Sequence, residues 1–224
     1  KDKSGKTTLM LVIDNLRFDQ WKMIAPIIEN YYKKQHETSY FSILPTATHY
    51  ARNAIFSGMM PLEMQKKYPQ LWVNENENGG KNLKEAEFLK AQLLKNRIDS
   101  KFSYYKITNI KAGRELTKSL SNHQKDDLVV VVYNFVDMIS HAKTEMEIIK
   151  ELASDNKAFR SLTRSWFNNS PLLEIIQQAR GLGFNLIITT DHGTINVDQP
   201  IEIKGNRELS TNLRYKTGKS LSFP

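Results

Sequence analysis

The sequence contains no cysteine, so the chain forms no disulfide and offers no thiolate to a metal ion. Long apolar runs are missing too, and none approaches the roughly 18 apolar residues that a membrane-spanning helix needs. No signal peptide is visible at the polar N-terminus, which begins with Lys1 instead of Met. Together these absences favour a cytoplasmic protein that has no membrane partner.

The composition is otherwise that of an ordinary globular protein. The 224 residues are 40% hydrophobic and 25% charged, which suits one sizeable α/β domain or two small ones. The charge is unbalanced, with a formal net value of +8. Such an excess suits a polyanionic ligand, such as nucleic acid or a phosphorylated substrate. A basic surface that only aids solubility explains the excess equally well.

Short apolar runs alternate with helical patterns along the chain. The predicted strands cover residues 8–14, 40–44, 102–107, 127–137 and 185–190. The predicted helices cover residues 18–34, 48–56, 61–68, 82–96, 110–120, 144–153 and 170–182. This alternation predicts an α/β fold with a mostly parallel sheet and helices on both faces.

Acidic and imidazole side chains stand at or just beyond the ends of three of these strands. They are Asp14, Asp137 with His141, and Asp191 with His192. The carboxyl ends of parallel strands share one edge, where open α/β sheets bind their ligands. Carboxylate oxygens and imidazole nitrogens are ligands for divalent metals such as zinc. The sequence therefore predicts a metal site at this edge of the sheet.

Spacing adds detail to this prediction. Asp137 and His141 lie four residues apart, so both can lie on one face of a helical turn. Asp191 and His192 are neighbours, so they can serve one ion or two adjacent ions only where the strand becomes irregular. Each signal is weak alone, because a strand-end acid often caps a helix and histidines are often structural. Their joint occurrence after three strands favours the metal site.

The segment LPTATHYARNAIFSG, residues 44–58, supplies a candidate nucleophile. Thr46 and Thr48 stand at the start of the predicted helix, where backbone N–H groups favour anions. A nearby metal ion would lower the pKa of such a hydroxyl. The alternative is that the threonine only caps the helix.

The order of these motifs resembles the alkaline phosphatase superfamily. In chain order they are Asp14, P-T-x-T at 45–48, Asp137-x-x-x-His141 and Asp191-His192-Gly193. The segments LVIDNLRFDQW and LPTATHYARNAIFSG resemble PglZ domains more closely, above all the output domain of PorX-type response regulators, which control type IX secretion.

The resemblance extends from Leu9 to about Lys219. It implies an alkaline-phosphatase-like sheet and one PglZ domain over residues 1–224. It also implies that the chain is a piece of a longer protein, with a receiver region before it and further sequence after it.

The same resemblance implies two zinc ions. One ion would be held by Asp14, Thr48, Asp191 and His192. The other would be held by Asp137, His141 and a further histidine. No histidine follows His192, so the resemblance leaves the second site without that ligand in this chain.

The resemblance also implies a phosphodiesterase reaction. Thr48 would attack phosphorus in line, and water would then hydrolyse the phospho-threonine intermediate. Arg52, four residues after Thr48, and Asn53 are candidate phosphate ligands. Arg214 and Lys216 in the basic tail are candidates for holding the substrate, although a solvated basic loop is the alternative.

Three functions remain open. The first is a zinc-dependent phosphodiesterase for nucleotides or (cyclic) oligonucleotides, within a two-component response regulator of type IX secretion. The second is a catalytically weak output domain whose full-length protein binds a sensor kinase and a sigma factor. The third is a PglZ phosphatase of phage defence. A homodimer is compatible with each function.

Overall fold

The computed structural model of the chain describes residues 5–75, 77, 79–195, 199, 201–205, 216 and 221–222. The chain divides into two compact units. The first unit comprises Lys1–Ser42 and Arg97–Thr194, and the second comprises Ile43–Asn96 and Ile195–Pro224.

A parallel sheet of four strands organises the first unit. The strands are β1 (Thr8–Ile13), β2 (Phe102–Ile107), β3 (Leu128–Tyr133) and β4 (Asn185–Thr189). Their order across the sheet is β2-β3-β1-β4. All neighbouring strands pair in parallel, and Thr8 is in register with both Leu128 and Asn185. The predicted α/β class and mostly parallel sheet are confirmed.

The two central strands are buried on both faces. Leu9 and Leu11 of β1 are fully buried, and so is Val12, whose side chain points to the opposite face. In β3 the whole run from Val129 to Val132 is fully buried. Such unbroken apolar runs are typical of parallel strands that are covered on both sides.

Helices follow most of the strands. In chain order they are α1 (Phe18–Ile28), α2 (Thr48–Ser57), α3 (Pro61–Lys67), α4 (Glu85–Lys95), α5 (Ile110–Ser119), α6 (Phe135–Glu145), α7 (Glu147–Leu152), α8 (Asn156–Asn168) and α9 (Pro171–Gly181). A short 3-10 helix covers Leu120–His123. Helices α2, α3 and α4 belong to the second unit, and the others belong to the first.

The main core of the first unit lies between one face of the sheet and helices α1, α5, α8 and α9. These helices contribute apolar side chains that are at most 4% exposed, among them Ile24, Leu116, Phe167 and Ile175. They pack with Leu9, Leu11 and Ile13 of the central strand. Burying each such side chain stabilises the fold by about 1.5–3 kcal/mol.

The second unit is built on α2 and α4, which pack against each other. Gly58 ends α2 in the left-handed conformation, with φ of 61°, and its N–H donates to Ala54. Two short strands, β5 (Lys204–Gly205) and β6 (Leu221–Ser222), form an antiparallel ladder in the same unit. The sequence did not predict this ladder.

The predicted strand at residues 40–44 is wrong, because this segment is irregular. Phe41 is fully exposed and Leu44 is 84% exposed, so the apolar run does not enter the core. The side chains of Tyr40 and Ser42 instead donate to backbone carbonyls near the end of β4. The segment is therefore a loop that braces the sheet edge.

Several helix predictions need correction as well. The helix predicted at 18–34 ends at Ile28. Pro26, which was expected to kink it, lies two residues before this end. The helix predicted at 144–153 is split at Met146, the C-cap of α6 and the N-cap of α7. Helix α8 was not predicted, although its apolar residues recur at helical spacing. The strand predicted at 127–137 ends at Tyr133, and residues 135–143 instead belong to α6, which was not predicted as a helix there. The other predicted helices and strands are present with bounds shifted by a few residues.

Candidate metal centre

Three of the predicted ligands lie together at the carboxyl edge of the sheet. Asp14 directly follows β1, and Asp191 and His192 lie just beyond the end of β4. One donor atom from each residue lies within 4.8 Å of the other two. His192 Nε2 is 3.7 Å from Asp14 Oδ1 and 4.0 Å from Asp191 Oδ2. We call these three residues the acid–imidazole triad.

Strand order explains how distant parts of the sequence form the triad. β1 and β4 are neighbours in the sheet and end at the same edge. β4 ends at Thr189, so the backbone of Asp191 and His192 is irregular, and both side chains reach the same place. The predicted convergence of these ligands is confirmed.

Side-chain hydrogen bonds fix the loop that carries Asp191 and His192. Thr190 Oγ1 accepts from the backbone N–H of Leu16 at 3.0 Å and donates to the carbonyl of His192 at 2.9 Å. Ser42 Oγ donates to the carbonyl of Asp191 at 2.8 Å. Sequence reasoning missed Thr190 and Ser42, since a hydroxyl that braces a loop has no distinctive spacing.

The triad is almost completely removed from water. Asp14, Asp191 and His192 are 1%, 0% and 4% exposed. Buried carboxylates are tolerated when they are paired, hydrogen-bonded or bound to a metal ion. Two carboxylate oxygens and one imidazole nitrogen also match the donors of zinc and related divalent ions. The triad therefore fits a divalent cation, although its donors do not single out zinc.

Asp137 and His141 lie outside this triad. Both belong to α6, which follows β3, and Asp137 is in its first turn. Asp137 Oδ2 lies 3.4 Å from His141 Nε2, so the prediction that both share one helix face is confirmed. The His141 side chain is 70% exposed, whereas that of Asp137 is 20% exposed. Their role as ligands of a second ion stays a prediction.

Asn15 connects the triad with Asp137. Its backbone N–H donates to Asp191 Oδ1 at 3.1 Å, and its Nδ2 donates to Asp137 Oδ1 at 3.2 Å. The residue is 1% exposed and has φ of 61°. Sequence reasoning missed this residue, although asparagine is enriched at such left-handed positions.

Thr48 is the first residue of α2, in the second unit, and is half-buried. The N-cap of this helix is Ala47, so neither Thr46 nor Thr48 occupies the capping position. Asn82 Nδ2 donates to the carbonyl of Thr48 at 3.1 Å. Thr48 thus lies in the first turn, where the helix dipole favours anions.

Arg52 is buried in the second unit and paired with Glu85. Its Nε donates to Glu85 Oε1 at 2.7 Å, and the two side chains are only 2% and 1% exposed. The predicted phosphate contact of Arg52 would therefore have to use its remaining guanidinium donors.

Asn53 is also buried, at 1% exposure. Its Nδ2 donates to the carbonyls of His49 and Lys81 at 2.8 and 3.1 Å. The phosphate contact predicted for Asn53 requires this same nitrogen, since its other polar atom, Oδ1, is only an acceptor.

His49 stacks on Trp72, with ring centroids 4.6 Å apart, and burial lowers the pKa of His49.

Two residues of the basic tail were predicted to bind substrate. Arg214 lies outside the described residues. Lys216 is described and is half-buried. Its predicted contact with substrate stays a prediction.

The structure has an α/β fold with a buried acid–imidazole triad at the carboxyl edge of a parallel sheet. This is the arrangement that the resemblance to the alkaline phosphatase superfamily implies. Comparison with protein-family models matches residues 1–223 to PglZ, described as the BREX system PglZ alkaline phosphatase-like domain. The chain belongs to the PglZ family. No curated protein matches the sequence.

Family membership supports a phosphoesterase-type or phage-defence role. The closer likeness to PorX-type output domains stays a prediction. Of the helices in the described part of the chain, none combines the length and hydropathy that crossing a membrane requires.

Proposed function

We propose that this chain is a metal-dependent phosphoric ester hydrolase that cleaves phosphodiesters in nucleotide or oligonucleotide substrates. One observation carries the proposal. The triad of Asp14, Asp191 and His192 is buried at the ligand-binding edge of the sheet, in a chain that belongs to an alkaline phosphatase-like family. A cation held by such donors would stabilise the negative charge that develops on oxygen during phosphoryl transfer.

The triad would hold one divalent cation, with zinc as the first candidate. When bound, the cation supplies Lewis-acid stabilisation of negative charge on the phosphoryl oxygens. Asp137 and His141 would bind a second ion together with one more ligand. Burial of the triad excludes water from its carboxylates, which strengthens their interaction with a cation.

Thr48 would be the nucleophile and would also contribute its hydroxyl oxygen to the first ion. Its oxygen would form a bond to phosphorus as the ester bond to one leaving alcohol breaks. A water molecule would then release the phosphate monoester and restore the threonine hydroxyl. The backbone N–H groups of the first turn of α2 would receive the phosphoryl oxygens, because a helix N-terminus favours anions. Arg52 would add a charge-assisted hydrogen bond through donors other than Nε.

The charge of the chain favours a polyanionic substrate. A net charge of +8 raises the local concentration of nucleotides and oligonucleotides near the protein. Arg214 and Lys216 would contact the backbone of such a substrate. The rule that phosphate contacts give affinity but no sequence specificity predicts cleavage with little base preference.

A comparison of Thr48 variants tests the nucleophile. Purified wild-type chain is assayed with bis(4-nitrophenyl) phosphate and with 4-nitrophenyl phosphate, and we expect faster turnover of the diester. Thr48→Ala should lower kcat by at least about a thousandfold, because the nucleophilic oxygen is lost. Thr48→Ser keeps that oxygen and should retain part of the activity. An unchanged kcat in Thr48→Ala would remove Thr48 as the nucleophile.

A role in phage defence is the second candidate, and the description of the family as a BREX system domain favours it. The response-regulator role, with a sensor kinase and a sigma factor as partners of the full-length protein, rests on the likeness to PorX-type domains. Binding assays of full-length protein with these two partners separate the candidates. Retained partner binding in a Thr48→Ala protein that no longer hydrolyses diesters would support joint catalysis and regulation.

A further inference from the structure

We propose that Asn15 is a positioning residue that couples the triad to Asp137 and thereby prepares the site of the second cation. This inference rests on the proposed function, because it concerns the cation sites of that same centre. The observation behind it is the pair of hydrogen bonds that Asn15 makes to two different carboxylates. One carboxylate belongs to the triad, and the other belongs to α6.

The backbone of Asn15 acts on the triad. Its N–H donates to Asp191 Oδ1, which also accepts from the backbone N–H of His192 at 2.9 Å. Both donors are main-chain groups, so a change of side chain at position 15 leaves this half of the arrangement in place. The backbone conformation is left-handed, which glycine adopts without strain.

The side chain of Asn15 acts on Asp137. Its Nδ2 donates to Asp137 Oδ1, while Asp137 Oδ2 faces His141 Nε2. The amide orientation is fixed, since the opposite orientation would place Oδ1 against the carboxylate. The bond therefore holds Asp137 at a set position beside the triad and leaves its second oxygen on the side of His141.

Simple packing does not explain this residue. Asn15 is 1% exposed, and its Oδ1 has no hydrogen-bond partner among the described residues. A buried amide that is only half satisfied destabilises the fold. Neighbours that orient metal ligands are worth about 10–100-fold in metal affinity, which is a benefit large enough to offset that cost.

Titration with Zn²⁺ alone tests the proposal in the purified chain, using a competing chromophoric chelator and calorimetry. We expect the wild-type chain to take up two equivalents. Asn15→Gly should leave the affinity for the first equivalent unchanged and weaken the second by about 10–100-fold. Arg97→Gly is the matched control, because Arg97 also has a positive φ, of 55°, and is exposed on the protein surface. This control should leave both affinities unchanged.

A double-mutant cycle separates positioning from a general loss of structure. Asp137→Ala removes a ligand of the second ion and should abolish the second equivalent, and adding Asn15→Gly to this background should leave the affinity for the first equivalent unchanged. Asn15→Asp keeps the shape and the left-handed preference but loses the donor, so it should weaken the second equivalent too. Melting temperatures without metal report whether each variant is folded.

Three results would overturn the proposal. They are a wild-type chain that takes up only one equivalent, an Asn15→Gly chain with both affinities unchanged, and an Asn15→Asp chain that binds the second equivalent as well as wild type or better. Failure of the proposed function looks different. A chain that hydrolyses no phosphodiester but still shows the selective loss in Asn15→Gly would keep the role of Asn15 and remove the reaction.

Discussion

Asp191 illustrates how much of this site is decided by single side chains. Its carboxylate accepts from two backbone N–H groups, and its own carbonyl accepts from Ser42. The residue is fully buried, so each of these bonds acts in surroundings that water does not screen. These bonds hold the carboxylate in place, so its other oxygen, Oδ2, faces His192 in a fixed direction.

Asp126 carries a second buried polar network, formed by residues of β2, by Lys101 before it and by the segment that precedes β3. Asp126 Oδ2 accepts from Ser103 Oγ at 2.7 Å and lies 2.7 Å from His123 Nδ1, while Lys101 Nζ is 3.0 Å from Oδ1. His123 Nε2 in turn lies 2.7 Å from the hydroxyl of Tyr105. Burial alone would raise the pKa of Asp126, but these hydrogen bonds outweigh burial and lower the pKa below 3.8.

A lowered pKa in the folded state means that ionised Asp126 stabilises the fold. This contribution is complete above the ordinary pKa of 3.8 and is lost as the pH falls through the lower folded-state value. We expect Asp126→Asn to reduce the free energy of unfolding by about 1–3 kcal/mol near neutral pH. Urea unfolding at several pH values should show the difference from wild type shrinking below about pH 4. A difference that grows on acidification would contradict this account.

At the scale of elements, buried polar pairs fix the relative position of packed helices, because a hydrogen bond is directional and apolar packing is not. In the first unit, Gln20 of α1 donates through Nε2 to Thr163 Oγ1 of α8 at 2.9 Å. Thr163 Oγ1 donates to the carbonyl of Phe159. Gln20 and Thr163 are completely buried, so the bond specifies how α1 and α8 meet.

Thr163→Val tests this contact between α1 and α8. The change conserves shape but leaves the amide of Gln20 without its acceptor, so we expect a loss of about 1–3 kcal/mol in the free energy of unfolding. Thermal or urea unfolding measures it. Thr117→Val is a control, because its hydroxyl bonds only one turn back within α5. Equal effects of the two changes would argue against a special role for the contact.

In the second unit, the Arg52–Glu85 ion pair joins α2 to α4. Glu85→Ala should destabilise the chain by about 3–5 kcal/mol, because it removes the carboxylate that compensates the buried Arg52 charge at Nε. Replacing both residues with Met and Leu should cost much less than the sum of the single changes. Urea unfolding of the variants measures both effects, and additive losses would contradict the prediction. Any Arg52 variant assayed for phosphate binding therefore needs a check of its stability.

How far the sequence predicted the fold depended on the kind of element. The strands β1, β3 and β4 were predicted because their apolar or β-branched runs are buried in a parallel sheet. Residues 40–44 have a similar apolar run, but they pair with no strand of the sheet. The local sequence gives no sign of this lack of pairing. Helix α8 was missed although Phe159, Leu162 and Trp166 recur at helical spacing in its sequence. The Asp155 cap, whose side chain accepts from the N–H of Ala158, was a second available signal.

The site was predicted in the same uneven way. Strand-end position revealed Asp14, Asp191 and His192, because parallel topology brings such ends together. The helical spacing of Asp137 and His141 predicted their proximity. The partners of these residues could not be predicted, since the bonds of Asn15 depend on the relative placement of β1, β4 and α6.

At the scale of the whole molecule, the net charge of +8 predicts that binding of polyanionic substrates depends on salt concentration. Binding that uses two or three phosphate contacts to a single strand should weaken by about tenfold between roughly 50 and 200 mM salt. We therefore expect the KM of an oligonucleotide substrate to rise steeply with salt, while that of bis(4-nitrophenyl) phosphate stays nearly constant. Parallel salt dependence of both substrates would assign the basic residues to solubility.

The central claim is that the triad binds a divalent cation, and the metal content of purified protein tests it most directly. Mass spectrometry of the wild-type chain should find at least about one tightly held divalent cation. Asp191→Asn should remove it, whereas Asp126→Asn, at another buried carboxylate, should retain it. Equal metal content in the wild-type chain and Asp191→Asn, or no metal in either after incubation with Zn²⁺ and Mn²⁺, would contradict the claim.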